Sequence, residues 1–460
     1  MAGLILAISL LNTSCLKYQA HPLSPVQTEQ QFRARSLRTP GLAEFVRAQS
    51  GAAATPWPPA TLDPEMLTYI AYYFSPSIEV ARAKVASARA ALDTAHQRIN
   101  PSISGNGGYN RTPDSVSTYA VSPAFTIETA GKRGYRILEA EKLTEASRLA
   151  VYEAAWEVRS ALRRALVTYW TALSKQKLLQ TEAAVRAEIV AIYQKRVELG
   201  DAATPELSAA RSEQATVSLA LEATETELAE ARSVIAQAAG LPAAALDGVT
   251  LDLSSFQTPA APDALPILQI EKAGLLHRAD IRRTLLEYEA ADARLRLALA
   301  NQYPNIILSP AYTFQEGFPA YTLGAAIESL PVFHRNQGPV AEQEAARLQL
   351  AAQFKALQSR IVGETQSALL DYRETVNDWR AVRDTFLPIQ QQREAQVTAA
   401  FRAGETDRLD LTQSRLLTLA AQRADFEALV RAQTALGTLE DAVQSPLQPS
   451  LPAPRPETTN

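Results

Sequence analysis

Acid pairs such as Asp407 and Asp410 could in principle serve general acid–base chemistry, because a separation of three residues puts both carboxylates on one face of a helix. On a helix of otherwise ordinary composition the same spacing is most often a solvated face. His21, His96, His277 and His334 are scattered without ligand spacing. The one cysteine, Cys15, excludes an intrachain disulfide and any cysteine-cluster metal site. No Gly-rich phosphate loop, G-x-S-x-G elbow or H-E-x-x-H pair occurs. The chain therefore reads as a non-enzyme with no cofactor, no catalytic residues and no metal site.

Cys15 is informative by position. Residues 2–14, AGLILAISLLNTS, form an apolar run too short to span a bilayer, ending in small polar residues just before it. This reads as a signal peptide over 1–15 with Cys15 as the lipidation site, against an incidental cysteine. Asn12 and the absence of Lys or Arg before the run depart from that pattern, and a mis-assigned start codon accounts for the missing charge. Lys plus Arg (45) nearly balances Asp plus Glu (49), interspersed along the chain, so nucleic acid is excluded as a partner. Beyond the first residues no stretch reaches the roughly 18 uncharged apolar residues of a spanning helix. Any membrane crossing must be made of strands.

The elements that carry these residues are duplicated. RVELGDAATPELSAARSE (196–213) faces AFRAGETDRLDLTQSRLL (400–417), aligning Gly200 with Gly404, Leu207 with Leu411 and Arg211 with Arg415. NPSISGNGGYN (100–110) likewise faces YPNIILSPAYT (303–313), and FSPSIEVARAKVASARAAL (74–92) faces HRADIRRTLLEYEAADARL (277–295). Separated blocks at one offset argue for duplication. Repeat 1 is expected over 61–255 with a strand pair at 102–128, and repeat 2 over 262–445 with a strand pair at 305–328. An extended segment over 16–60 precedes them and a Pro-rich tail over 446–460 follows.

Proline is absent from 124–204, 340–387 and 389–445, which marks long helical blocks. Val185, Ile189, Ile192 and Leu199 have helical spacing, and one helix over 136–199 would run roughly 95 Å. Pro388 predicts a kink in the second copy. Within the strand pairs, Tyr119, Val121, Phe125, Leu308, Tyr312, Phe314, Tyr321 and Leu323 alternate with small or polar residues, Ile307 being the exception. Alternation assigns the eight to a lipid-facing side and their neighbours to a lumen. Half-buried soluble hairpins are the competing reading. Residues 102–109 are the weakest strand.

From about Leu62 to Val443 the chain resembles the TolC family of outer-membrane efflux proteins. The resemblance is carried by the duplicated helix, strand-pair, helix layout, a Pro at the start of each first strand, and the glycine-bearing turns. It also rests on SLPVFHRNQGPVAEQEAAR (329–347) and FTIETAGKRGYRILEAE (125–141). The latter, with Gly131, Lys132 and Arg133, looks closest to the heavy-metal (cobalt, zinc, cadmium type) branch. The resemblance implies a mainly α fold with a small β part, in which long antiparallel helices form an α-barrel. Four strands per chain would contribute to a 12-stranded trimeric β-barrel.

It implies a homotrimer that meets outer-membrane lipid, a periplasmic adaptor (membrane fusion) protein and an inner-membrane pump of RND type. The protein would be lipid-anchored and spanning in the outer membrane, with a long periplasmic part. Leu199, Gly200, Asp201, Ala403, Gly404 and Glu405 match the family's adaptor-contact tips. Asp410, and in copy one Glu206, match its acidic aperture position, while Gln413 departs from the second acidic position. The implied function is the exit duct of a tripartite efflux system for metal ions or small toxic compounds. A type I protein-secretion duct and a periplasmic coiled-coil scaffold are the alternatives.

Overall fold

The computed structural model describes residues 18–51, 56–108, 118–262, 272, 274, 276–315, 318–447 and 453; Cys15 lies outside the described residues. The segment expected to be extended holds two short helices, α1 (Pro25–Arg33) and α2 (Leu42–Ser50). Pro25 opens α1 behind Ser24, whose Oγ accepts from the Gln27 N–H at 3.4 Å, and α2 buries Leu42 and Val46. Nine residues apiece leave too few turns for a periodic signal in the sequence.

After strand β1 (Thr61–Leu62), helices α3 (Pro64–Phe74) and α4 (Pro76–His96) begin behind Asp63 and Ser75, whose side chains cap them. Strands β2 (Ser102–Gly108) and β3 (Thr118–Ile127) follow. The unbroken helix α5 (Lys132–Leu199) has 68 residues, about 100 Å at 1.5 Å each. Helix α6 (Thr204–Ala238) returns beside it, and β4 (Thr250–Leu251) pairs parallel with β1.

The second copy repeats the plan with α7 (Ala279–Ala300), β5 (Ile306–Gln315), β6 (Phe318–Ile327), α8 (Gln337–Ala381), α9 (Leu387–Ala403) and α10 (Arg408–Val443). Between α8 and α9 the ladder widens into one π-turn, Val382–Phe386. Pro388 has no N–H to donate and its ring crowds the carbonyl four residues back, so the chain accommodates it by inserting a residue. Where a kink is expected at Pro388, the structure shows this π-turn just before the proline.

The strands form one antiparallel sheet in the order β2-β3-β5-β6. Contacts order the helices in two rows. Beside the strands the row runs α4, α5, α7, α8; toward the far end it runs α6, α5, α10, α9. The elements at one side are thus β2, α4 and α6, and at the other β6, α8 and α9. The main core lies at mid-length, where Leu162 and Leu166 of α5, Tyr372 of α8 and Leu436 and Leu439 of α10 are buried with residues of α2 and α3.

Ions are buried within this core. Glu440, 1% exposed, accepts from Arg159 Nη2 at 3.0 Å and lies 3.4 Å from Arg163 Nε. Arg163 donates to the Gln433 carbonyl at 2.8 Å, and burial pushes its guanidinium below the usual arginine range. A Cβ on Gly437 would stand only 2.3 Å from Arg163 Nη1, so glycine is what lets the guanidinium cross α10.

Candidate functional site

The helical tips are built twice by the same local chemistry. Gly200 (φ 82) ends α5 and Gly404 (φ 79) ends α9, each in the left-handed region where a side chain is strained. The turns close alike, with Asp201 N–H donating to the Arg196 carbonyl at 2.8 Å and Glu405 N–H to the Ala400 carbonyl at 2.9 Å. Three residues on, the chain re-enters a helix. Leu199, Gly200, Asp201, Ala403, Gly404 and Glu405 are all exposed there. Of the sequence stripe, Val185 and Ile189 are buried against Ala210 and Leu409, and Ile192 packs at their margin; Leu199 lies beyond it, 67% exposed.

Glu206 and Asp410 each occupy the third position of the re-entering helix. Glu206 Oε2 accepts from the Ala203 N–H at 2.9 Å. Asp407 Oδ1 accepts from the Asp410 N–H at 2.9 Å, and Asp410 Oδ2 reaches back to the Asp407 N–H at 3.5 Å, a reciprocal capping box. Both candidates are exposed carboxylates held at a helix N-terminus, where the dipole favours their charge. Gln413 is exposed one turn beyond Asp410. Asp407, read above as half of an acid pair, is instead the cap. The Asp410 backbone N–H, and next Arg196, hold its carboxyl below the usual aspartate range.

Ion pairs tie the two tips together. Arg196 near the end of α5 meets Asp407 at 2.5 Å. One turn or two up, Glu188 accepts from Arg408 at 2.7 Å and Arg415 at 3.4 Å, and Glu182 accepts from Arg423. The partners are more than two hundred residues apart in sequence, and only the repeat, which aligns Arg211 with Arg415, hinted that the helices lie together.

At the opposite end the Gly131-Lys132-Arg133 segment joins strands to helices. Buried Lys132 donates to the Tyr303 carbonyl at 2.6 Å and Asn305 Oδ1 at 2.7 Å, across the two repeats. Arg133 caps α4 through the His96 carbonyl at 2.6 Å, and Arg136 grips Glu128 at 2.6 Å. The sequence marked this segment only by resemblance; its hydrogen bonds tie the strand ends of both repeats to the helices.

The sheet's two faces are unlike. Directly opposed residues in an antiparallel pair share a face. The register pairs Tyr119 with Phe314, Val121 with Tyr312, Phe125 with Leu308, Tyr312 with Tyr321 and Pro310 with Leu323. All eight residues expected to face lipid therefore lie on one side. Tyr321 and Leu323 are 80% and 75% exposed. The other side carries Ser104, Ser122, Thr313 and Thr322, with Ile307 and Phe318 as the large apolar exceptions. Among the described residues no helix is long and apolar enough to cross a membrane, and no group of His, Cys, Asp or Glu could hold a metal ion.

Comparison with known proteins agrees with this geometry. Residues 70–241 match the family described as outer membrane efflux protein. A relative, the cobalt-zinc-cadmium resistance protein CzcC of Cupriavidus metallidurans, is 25% identical over 330 residues, which cover 71% of this chain and 75% of that protein. The fold is that of the outer membrane protein VceC of Vibrio cholerae (TM-score 0.65, 18% identity, covering 83% of this chain and 96% of that one). It is also that of the outer-membrane channel OprN (TM-score 0.68, 18% identity, covering 93% and 98%). A family match over the first repeat, a relative spanning most of the chain and a shared fold with one apolar sheet face converge on similarity to the outer membrane efflux proteins.

Proposed function

We propose that three copies of this chain form the outer-membrane exit duct of a tripartite efflux system, carrying metal ions or small toxic compounds delivered by a periplasmic adaptor and an RND-type inner-membrane pump. The observation that carries the reading is the coincidence of open edges. Strand β2 leaves its hydrogen-bonding edge on the same side as α4 and α6, and β6 does so beside α8 and α9. A head-to-tail contact of these sides closes into a ring, because β6 of one copy runs antiparallel to β2 of the next. Three copies of the 4-stranded sheet give twelve strands, with every edge paired in lipid. Similarity to CzcC favours metal ions as cargo.

The exposed tips at Gly200 and Gly404 suit the adaptor, and three copies of Asp410 around the ring axis suit the aperture. Like charges held close repel unless a cation screens them, so such a ring favours cations and takes a blocking divalent ion. In planar bilayers the purified protein is expected to conduct, to prefer cations, and to be blocked by divalent cations from the periplasmic side. Asp410→Ala should lose preference and block, and Glu206→Ala should change them less. A protein that inserts but never conducts would contradict the duct. A conducting Asp410→Ala identical to the parent would return Asp410 to a capping role alone.

Anchoring is proposed at Cys15 after removal of residues 1–14. Mass spectrometry of the mature chain is expected to find a tri-acylated cysteine at its N-terminus. A free thiol in a chain that retains Met1 would refute the anchor.

A further inference from the structure

We infer that the strand-built stretch of the duct is a charge-neutral, hydroxyl-lined exit that neither binds metal ions nor sorts cargo by the sign of its charge. This rests on the reading of the polar sheet face as the lumen. The four strands hold 37 residues, and not one is Asp, Glu, Lys, Arg, His, Cys or Met. The face opposite the apolar one presents Ser104, Ser122, Thr126, Ser309, Thr313 and Thr322. Its remaining positions are Ala, Gly and uncharged polar residues, apart from Ile307 and Phe318 at the strand ends.

At the helical end charges begin one residue beyond β3 and β6, and there the carboxylates are held by partners. Glu128 is held by Arg136 at 2.6 Å. Glu328 accepts from Asn305 Nδ2 at 2.7 Å, while Asn305 Oδ1 accepts from Lys132 Nζ at 2.7 Å. Both carboxylates at the inner mouth are thus engaged, Glu128 by a cation and Glu328 by an amide that also holds Lys132, with Arg133 bound to the His96 carbonyl beside them. Such compact pairs project little field into a pore where salt screens over about 8 Å. Transition metals prefer imidazole, thiolate and carboxylate, and neutral hydroxyls offer them weak ligands only. Within the strand-built stretch an ion therefore meets nothing that recaptures it, and neutral or anionic solutes meet no charged barrier. Discrimination by charge is left to the helical part of the duct.

The test uses single cysteines at Ser309, Ser122 and Leu308 in protein reconstituted into phospholipid vesicles, with the parent as blank. Each is reacted with a cationic (ethyltrimethylammonium) and an anionic (ethylsulfonate) methanethiosulfonate. At Ser309→Cys and Ser122→Cys the cation-to-anion rate ratio is expected within about three-fold of that for a small free thiol, and Leu308→Cys should react far more slowly. Adding Ser309→Asp to Ser122→Cys places three carboxylates in the ring and should raise the ratio about ten-fold. A ratio already ten-fold from the free thiol in Ser309→Cys would overturn the neutral exit while leaving the duct intact. Reaction at Leu308→Cys with silence at both serines would overturn the face assignment itself, and slow reaction at all three sites would overturn the water-filled pore.

Discussion

Replacing Leu323 by Arg is expected to cost about 2–4 kcal/mol in folding of the membrane-embedded protein, while Arg at Ser309 costs far less. Leu323 sits mid-strand in β6 on the apolar face, opposite Pro310, and Ser309 lies opposite Gly324 on the other face. A guanidinium at Leu323 would be buried in hydrocarbon with no counter-charge on its own face of the sheet. At Ser309 it would reach water. Leu308→Arg should follow Leu323→Arg, less severely because Leu308 is nearer the strand end, where a long side chain can reach the interface. Refolding into vesicles, titrated with denaturant, measures the difference. Equal tolerance at Leu323 and Ser309 would contradict the division of faces.

Glu440→Ala should be at least as damaging, in a part of the molecule that never meets lipid. Glu440 answers Arg159 and Arg163 and also accepts from the Leu447 N–H at 2.8 Å, with its side chain and that of Arg159 each 1% exposed. Removing one partner leaves cations buried, which costs about 3–5 kcal/mol, more than the pair contributes relative to apolar residues. Glu29→Ala, which breaks the exposed Arg33–Glu29 pair on α1, should change stability by no more than about 0.5 kcal/mol. Thermal unfolding of both variants in detergent separates these outcomes. A Glu440→Ala protein as stable as Glu29→Ala would mean that the buried guanidiniums reach water in the assembled protein.

What was legible in the sequence was whatever repeats or alternates. Gly200 and Gly404 were found as aligned glycines and proved to be matching helix ends, because a left-handed cap leaves a residue-type signature. The apolar set of the sheet was readable because strand alternation has a period of two, and the register places all eight on one side. Residues 102–108, nearly bare of large apolar groups, still form β2, since backbone pairing with β3 needs no side chain. Interactions between distant residues were not legible. Arg196 with Asp407, Lys132 with Asn305 and Arg159 with Glu440 are surface-like polar or charged residues in any local window. Only the packing of one repeat on the other makes them pairs. The capping role of Asp407, by contrast, was within reach, since an acid three residues before another at a helix start is the pattern of a capping box.

The duct itself is tested most directly by the mass of the protein extracted in mild detergent. A chain of 49.9 kDa that leaves β2 and β6 unpaired should be found at three times its own mass, less any leader peptide, by native mass spectrometry or light scattering corrected for detergent. A stable, well-folded monomer under the same extraction would leave both sheet edges open in lipid and contradict the account.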